Sequence, residues 1–123
     1  MTVNQSTQSF AQEDTVTINF PIYSTGTTPA TLTAPTGNYA IALTPTSGTP
    51  LLSKNGTFSK DSITGLWTMT VSLTKAQTGL LPARHLWHQA SVQDSDGSNE
   101  SIFGGFLLVT PVIPQAAVIA GET

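Results

Sequence analysis

Residues 85–114, HLWHQASVQDSDGSNESIFGGFLLVTPVIP, decide the fold because they spell a β-hairpin followed by an apolar tail. Apolar residues alternate with polar ones up to Val92, the two-residue period of a half-buried strand. Leu86, His88, Ala90 and Val92 therefore share one face, and Trp87, Gln89, Ser91 and Gln93 share the other. The run DSDGSN brings the Asp and Gly chemistry of a turn. The closing strand reads apolar on both sides, with Phe103, Leu107 and Val109 on one face and Ile102, Phe106 and Leu108 on the opposite one. A sandwich core dries only one face of a strand, so the second points to assembly. Pro111 and Pro114 then interrupt a tail that carries Val112, Ile113, Val118 and Ile119 and is too short to fold alone.

Working outward, the rest of the chain repeats the strand pattern. In DTVTINFPIY, Val16, Ile18, Phe20 and Ile22 alternate with polar partners, and Pro21 marks an edge candidate. A second strand spans 38–44 with Tyr39, Ile41 and Leu43 on one face. Asn55-Gly56, between residues 50–54 and 57–61, predicts a type I′ hairpin turn. LWTMTVSL alternates most cleanly and assigns Trp67, Met69, Val71 and Leu73 to the core. TKAQTGL predicts one helical turn between the sheets, capped by Thr74 and stopped by Gly79. Short strands and no long helical pattern predict an all-β sandwich of seven or eight strands over residues 14–111. Residues 1–13, whose only large apolar side chain is Phe10, read as an N-terminal arm, and 112–123 as a C-terminal arm.

Composition narrows the function. The 123 residues suffice for one domain with a core. Charged residues are 9% of the chain and the net charge is −3. Lys54, Lys60, Lys75 and Arg84 are scattered, so no phosphate-tracking stripe and no nucleic-acid partner are expected. The chain has no cysteine, which removes disulfides and thiolate metal sites. MTVNQSTQSFAQED has neither the basic start nor the apolar centre of a secretory signal. No run reaches the roughly 18 apolar residues of a membrane span, so a soluble chain is expected.

The run VSLTKAQTGLLPARHLWHQASVQDSDGSNESIFGGFLLVTPVI resembles small phage virion domains, such as the amino-terminal domains of baseplate upper proteins and related tail and head accessory proteins. The matching positions are Thr74, Thr78, Leu81, Pro82, Ala83, Asp94, Asp96, Gly97, Gly105, Val109, Thr110 and Pro111. Looser similarity in residues 14–43 extends the resemblance to roughly 14–113. His88 stands where that family usually has an aromatic residue, and Phe106 and Leu108 replace usually polar ones. The resemblance implies an immunoglobulin-like sandwich serving as a structural part of a virus particle, with no catalytic residue to carry over.

The residues that could carry chemistry point the same way. Asp94, Asp96 and Glu100 cluster near Gly97, but their spacing departs from that of a calcium loop, and an Asp/Gly turn explains them. His85 and His88, three apart on a strand, point to opposite faces and cannot hold one metal. Hydroxyls and histidines are present without a nucleophile-elbow motif. The Asn-x-Ser/Thr sites at Asn4, Asn55 and Asn99 are expected by chance in a chain this rich in Ser and Thr. Trp87 and Tyr23 offer flat rings on which a sugar could stack.

These readings predict a non-enzymatic phage virion protein without cofactor or metal, assembled in the host cytoplasm. It binds other virion proteins, either major capsid or tail and baseplate subunits, and forms a homo-oligomer within the assembly. The expected contacts are Phe10, Trp87, Phe106, Leu108, Ile113, Val118 and Ile119. Capsid decoration or cement is the first choice of role. A tail, baseplate or fibre-attachment part, or a host-glycan-binding module, is the alternative.

Overall fold

The computed structural model describes residues 8–26 and 28–112. In chain order the elements are β1 (Gln8–Ala11), β2 (Val16–Thr25), β3 (Thr28–Pro29), β4 (Thr36–Ala42), β5 (Leu52–Asn55), β6 (Thr57–Lys60), β7 (Trp67–Leu73), α1 (Lys75–Gly79), β8 (His85–Gln93) and β9 (Asn99–Thr110). They form a β-sandwich of two sheets. The first has the order β1-β9-β8-β4-β5 and the second β3-β2-β7-β6. β1 runs parallel to β9, and the other recorded strand pairs are antiparallel.

The alternation read from the sequence builds the core. Met69, Val71 and Leu73 of β7 face Leu86, His88, Ala90 and Val92 of β8, all buried, with Trp67 half-buried at the end of its row. Between the sheets lies a cluster of four rings. Phe20 from the second sheet packs on Phe103 and Tyr39 with centroids 5.1 and 5.8 Å away. His88 stands edge-on to both Tyr39 and Phe103. Rings at such separations add to the stabilisation from buried apolar area.

Nine strands are described where seven or eight were expected, and the additions are β1 and the two-residue β3. Residues 8–11, read as part of an arm, instead satisfy the outer backbone row of β9, with Gln8 to Ala11 opposite Leu107 to Thr110. Pairing hides an edge that would otherwise offer unpaired N–H and C=O groups. Pro21 is tolerated because β3 meets β2 only at Tyr23 and Thr25, leaving Pro21 without a strand on that side.

Asn55-Gly56 does not turn a hairpin. β5 and β6 belong to different sheets, and Gly56 is the step between them, its N–H donating to the Gly37 carbonyl at 3.1 Å. Neither Asn55 nor Gly56 has positive φ. The glycine is required for a different reason: a Cβ there would overlap Met69 Cγ and Sδ. Leu43, expected to extend the strand on the face of Tyr39 and Ile41, lies one residue beyond β4 and is 42% exposed.

α1 bridges the sheets as expected, with Thr74 as N-cap in a capping box with Gln77. Leu80 rather than Gly79 ends it, in a right-handed conformation. Thr78 is fully buried and its Oγ1 donates to the Asp14 carbonyl at 2.7 Å, tying the helix to the segment between β1 and β2.

Candidate functional site

The two outward sheet faces differ in chemistry. On the second sheet, register places Thr17, Asn19, Thr68, Thr70, Ser72 and Thr57 outward, a field of short polar side chains. On the first sheet, Trp87 and Phe106 lie directly opposite each other on β8 and β9 and meet edge to face at 5.3 Å. Phe106 remains 52% exposed. The aromatic pair sits in the middle of a face whose neighbours are Ala42, Gln89, Gly104 and Leu108.

Local sequence explains why the indole lies down on the sheet. Gly104 presents no side chain beneath it, and a Cβ there would approach Trp87 Cζ2 to 3.0 Å. Trp87 Nε1–H donates to Gln89 Oε1 at 3.2 Å, two residues along the same face. The ring is thus fixed by a glycine below, a phenyl ring beside it and an amide at its edge. Pro45 and Pro50 of the loop after β4 form the far wall of a recess of about 190 Å3 beside Trp87 and Gln89.

Toward its other end the outward side chains of the face become polar. Asn38, Asn55, Ser91, Gln93 and Asn99, with Phe58 at the margin, line a groove of about 520 Å3. Across all five strands of this sheet the only Asp, Glu, Lys or Arg residues are Lys54 and Glu100. Their register positions, opposite Tyr39 and Val92, belong to the inward row rather than the outward one.

The structure therefore brings together two of the residues expected at contacts, Trp87 and Phe106, and places Leu108 half-buried on the same face, opposite His85. Phe10 is not on that face: its register opposite Val109 turns it inward, and it packs half-buried against the core. Ile102, read as sharing the face of Phe106, is 1% exposed. A β-bulge causes this. Ala90 pairs with Phe103 and Ser91 with Ser101, so Ile102 is the extra residue and both it and Phe103 are buried. Ile113, Val118 and Ile119 lie outside the described residues.

Other candidates are committed elsewhere. Asp94 accepts from the backbone N–H of Thr33 at 3.0 Å and of Ala34 at 2.9 Å, clamping the segment before β4. These bonds hold its carboxyl below the usual carboxylate range. Asp96 accepts from Ser98 N–H and Oγ–H inside the hairpin turn, with the same effect. His88 shares a 2.7 Å hydrogen bond with the Tyr39 hydroxyl through Nδ1, and its Nε2 is buried with no partner. Burial pushes its pKa down to about 4. Tyr23 lies on the second sheet, so it and Trp87 belong to different sheets and form no joint stacking platform.

The Trp87–Phe106 pair was legible as an outward aromatic strand face, whereas the glycine seat and the loop wall were not. No helix among the described residues is long and apolar enough to cross a membrane. No protein-family model matches the chain, and no curated protein shows significant similarity to it.

Proposed function

We propose that this chain is a non-enzymatic structural subunit of a phage virion, an immunoglobulin-like sandwich that binds other virion subunits and serves as a capsid decoration or cement protein. The observation that carries the assembly role is the Trp87–Phe106 pair, half-exposed on an uncharged sheet face. Exposed aromatic side chains backed by a rigid sheet are the usual anchors of protein interfaces. The virion setting rests on the resemblance of residues 14–113. A tail or baseplate position is the alternative within the same class.

The strand order supports the immunoglobulin-like reading. β2-β7-β6 facing β9-β8-β4-β5 follows the B-E-D and G-F-C-C′ arrangement of variable-type sandwiches. The departure is β3, which occupies the edge beside β2 although it follows β2 in the chain. The commitment of His88 to Tyr39 inside the core supports a non-catalytic role for that histidine.

The test is incorporation. Tagged wild-type chain should co-sediment with purified particles, and Trp87→Ser/Phe106→Ser should fall to background while remaining folded. Absence of the wild type from particles would overturn the virion role. Equal incorporation of the double variant would overturn the choice of face. A coding position beside the major capsid gene supports decoration, and one beside tail genes supports the alternative.

The groove lined by Asn38, Asn55, Ser91, Gln93 and Asn99 favours one second reading, recognition of a neutral glycan, since amides and hydroxyls match sugar hydroxyls. Binding on a glycan array that Asn99→Ala abolishes would support it, and no binding on a broad array would remove it.

A further inference from the structure

We infer that the outer face of the five-stranded sheet pairs with the same face of a second copy of this chain. The inference deepens the assembly reading by naming the partner of that face and rests on that reading's choice of surface.

Three observations carry it. The first is charge. In an isologous pair each patch meets itself across a two-fold axis, so an ionised group near the axis would confront its own like charge. The outward rows of β1, β9, β8, β4 and β5 contain no Asp, Glu, Lys or Arg. Apart from His85 at the end of β8, their polar side chains are amides and hydroxyls, which both donate and accept and are therefore complementary to themselves.

The second is area. The five strands hold 36 residues in all, and at roughly 3.4 Å per residue and about 4.8 Å between strands they present on the order of 600 Å2 per copy. Two such faces bury about 1,200 Å2, at the lower end of the range of about 1,200–2,000 Å2 found for stable interfaces.

The third is the placing of groups about the centre. β8 is the middle strand of the sheet and Gln89 the middle residue of β8. Gln89 Oε1 already accepts from Trp87 Nε1, which leaves the exposed amide NH2 free to donate to the opposite copy's Oε1. On one side of Gln89 lie Trp87 and Phe106, and beside them the recess walled by Pro45 and Pro50. A two-fold axis running along β8 through Gln89 sets the aromatic end of each copy against the aromatic end of the other and amides against amides. The apolar half is thereby covered, and the amide half keeps hydrogen-bonding partners.

The experiment is sedimentation equilibrium on the full-length chain. The mass should rise from 12.9 kDa toward twice that value with concentration. Gln89→Glu and Gln89→Lys should each weaken dimerisation at least tenfold, and an equimolar mixture of the two should restore it as a heterodimer. Phe106→Ser should also shift the equilibrium to monomer with an unchanged circular dichroism spectrum. A wild type that stays monomeric at millimolar concentration overturns the inference, as does a dimer indifferent to all three substitutions or charge variants that fail to pair. A monomer that still joins particles would refute self-pairing alone and leave the virion role standing. A dimer absent from particles would do the reverse.

Discussion

The Tyr39 hydroxyl and His88 Nδ1 meet at 2.7 Å in the centre of the ring cluster, and nothing among the described residues meets His88 Nε2. Whichever ring nitrogen carries the proton, one polar atom of a fully buried side chain is unpaired. Such an atom costs about 1–3 kcal/mol.

This pair sets an acid dependence. The pKa of His88 falls from 6.5 to about 4 on folding. Above pH 6.5 both states are neutral there and stability is at its plateau. Between pH 6.5 and 4 the unfolded chain binds a proton that the folded chain does not, so stability falls as pH falls, by about 2–3 kcal/mol in all. Asp61, Asp94 and Asp96, held below 3.8 when folded, lose their contributions only at lower pH. Denaturant titrations at pH 7 and pH 4.5 should show the difference for the wild type and not for His88→Phe. A wild-type midpoint flat over this interval would refute the assignment.

Tyr39→Phe leaves both ring nitrogens of His88 without a partner and should cost about 1–3 kcal/mol at pH 7. Tyr39→Phe with His88→Phe removes both partners and should regain most of that loss. A double variant weaker than either single one would mean that the hydrogen bond, not the ring packing, holds the cluster.

Gly56 serves clearance over Met69. Gly56→Ala should cost about 1–3 kcal/mol by overpacking. Gly56→Asn should cost at least as much, although Asn tolerates the positive φ of a turn. Gly56→Ala should cost less in a Met69→Ala background than in the wild type, because the clash is gone. Harmless Asn with damaging Ala would point back to turn geometry.

Gly104 seats Trp87. Gly104→Val in a Trp67→Phe background should lift the indole and increase its quenching by acrylamide while the fold persists. Unchanged quenching would show that the ring does not rest on that glycine.

Asp94 holds the 33–34 segment through two backbone N–H groups. Asp94→Ala should speed hydrogen exchange at Thr33 and Ala34 while leaving β8 and β9 protected. If exchange at those two amides is unaltered, the clamp is absent in solution.

Strand existence and inward rows were legible because period-two alternation reports burial directly: Met69, Val71, Leu73, Leu86, Ala90 and Val92 are all in the core. The sequence was less legible where one residue changes the count. The bulge at Ile102 reversed the parity of β9, and alternation carries no mark of an inserted residue. At Asn55-Gly56 the dipeptide matched a turn signature, yet the strands on either side pair with different neighbours, a tertiary choice local chemistry does not encode. β1 escaped because Phe10 is its only large apolar residue, and only the open side of β9 makes these residues a strand.

The parallel pairing of β1 with β9 has a mechanical consequence. The first and last described strands are bonded side by side, through Gln8 to Ala11 against Leu107 to Thr110, with Gln12 N–H on the Thr110 carbonyl at 2.8 Å. Pulled apart from its two ends, the chain loads these bonds together in shear, so they must fail as a group instead of opening one after another. An antiparallel pair held at the same points would unzip. Single-molecule stretching should therefore show an early resistance that Gln8→Pro abolishes, a property suited to a part anchored at both ends.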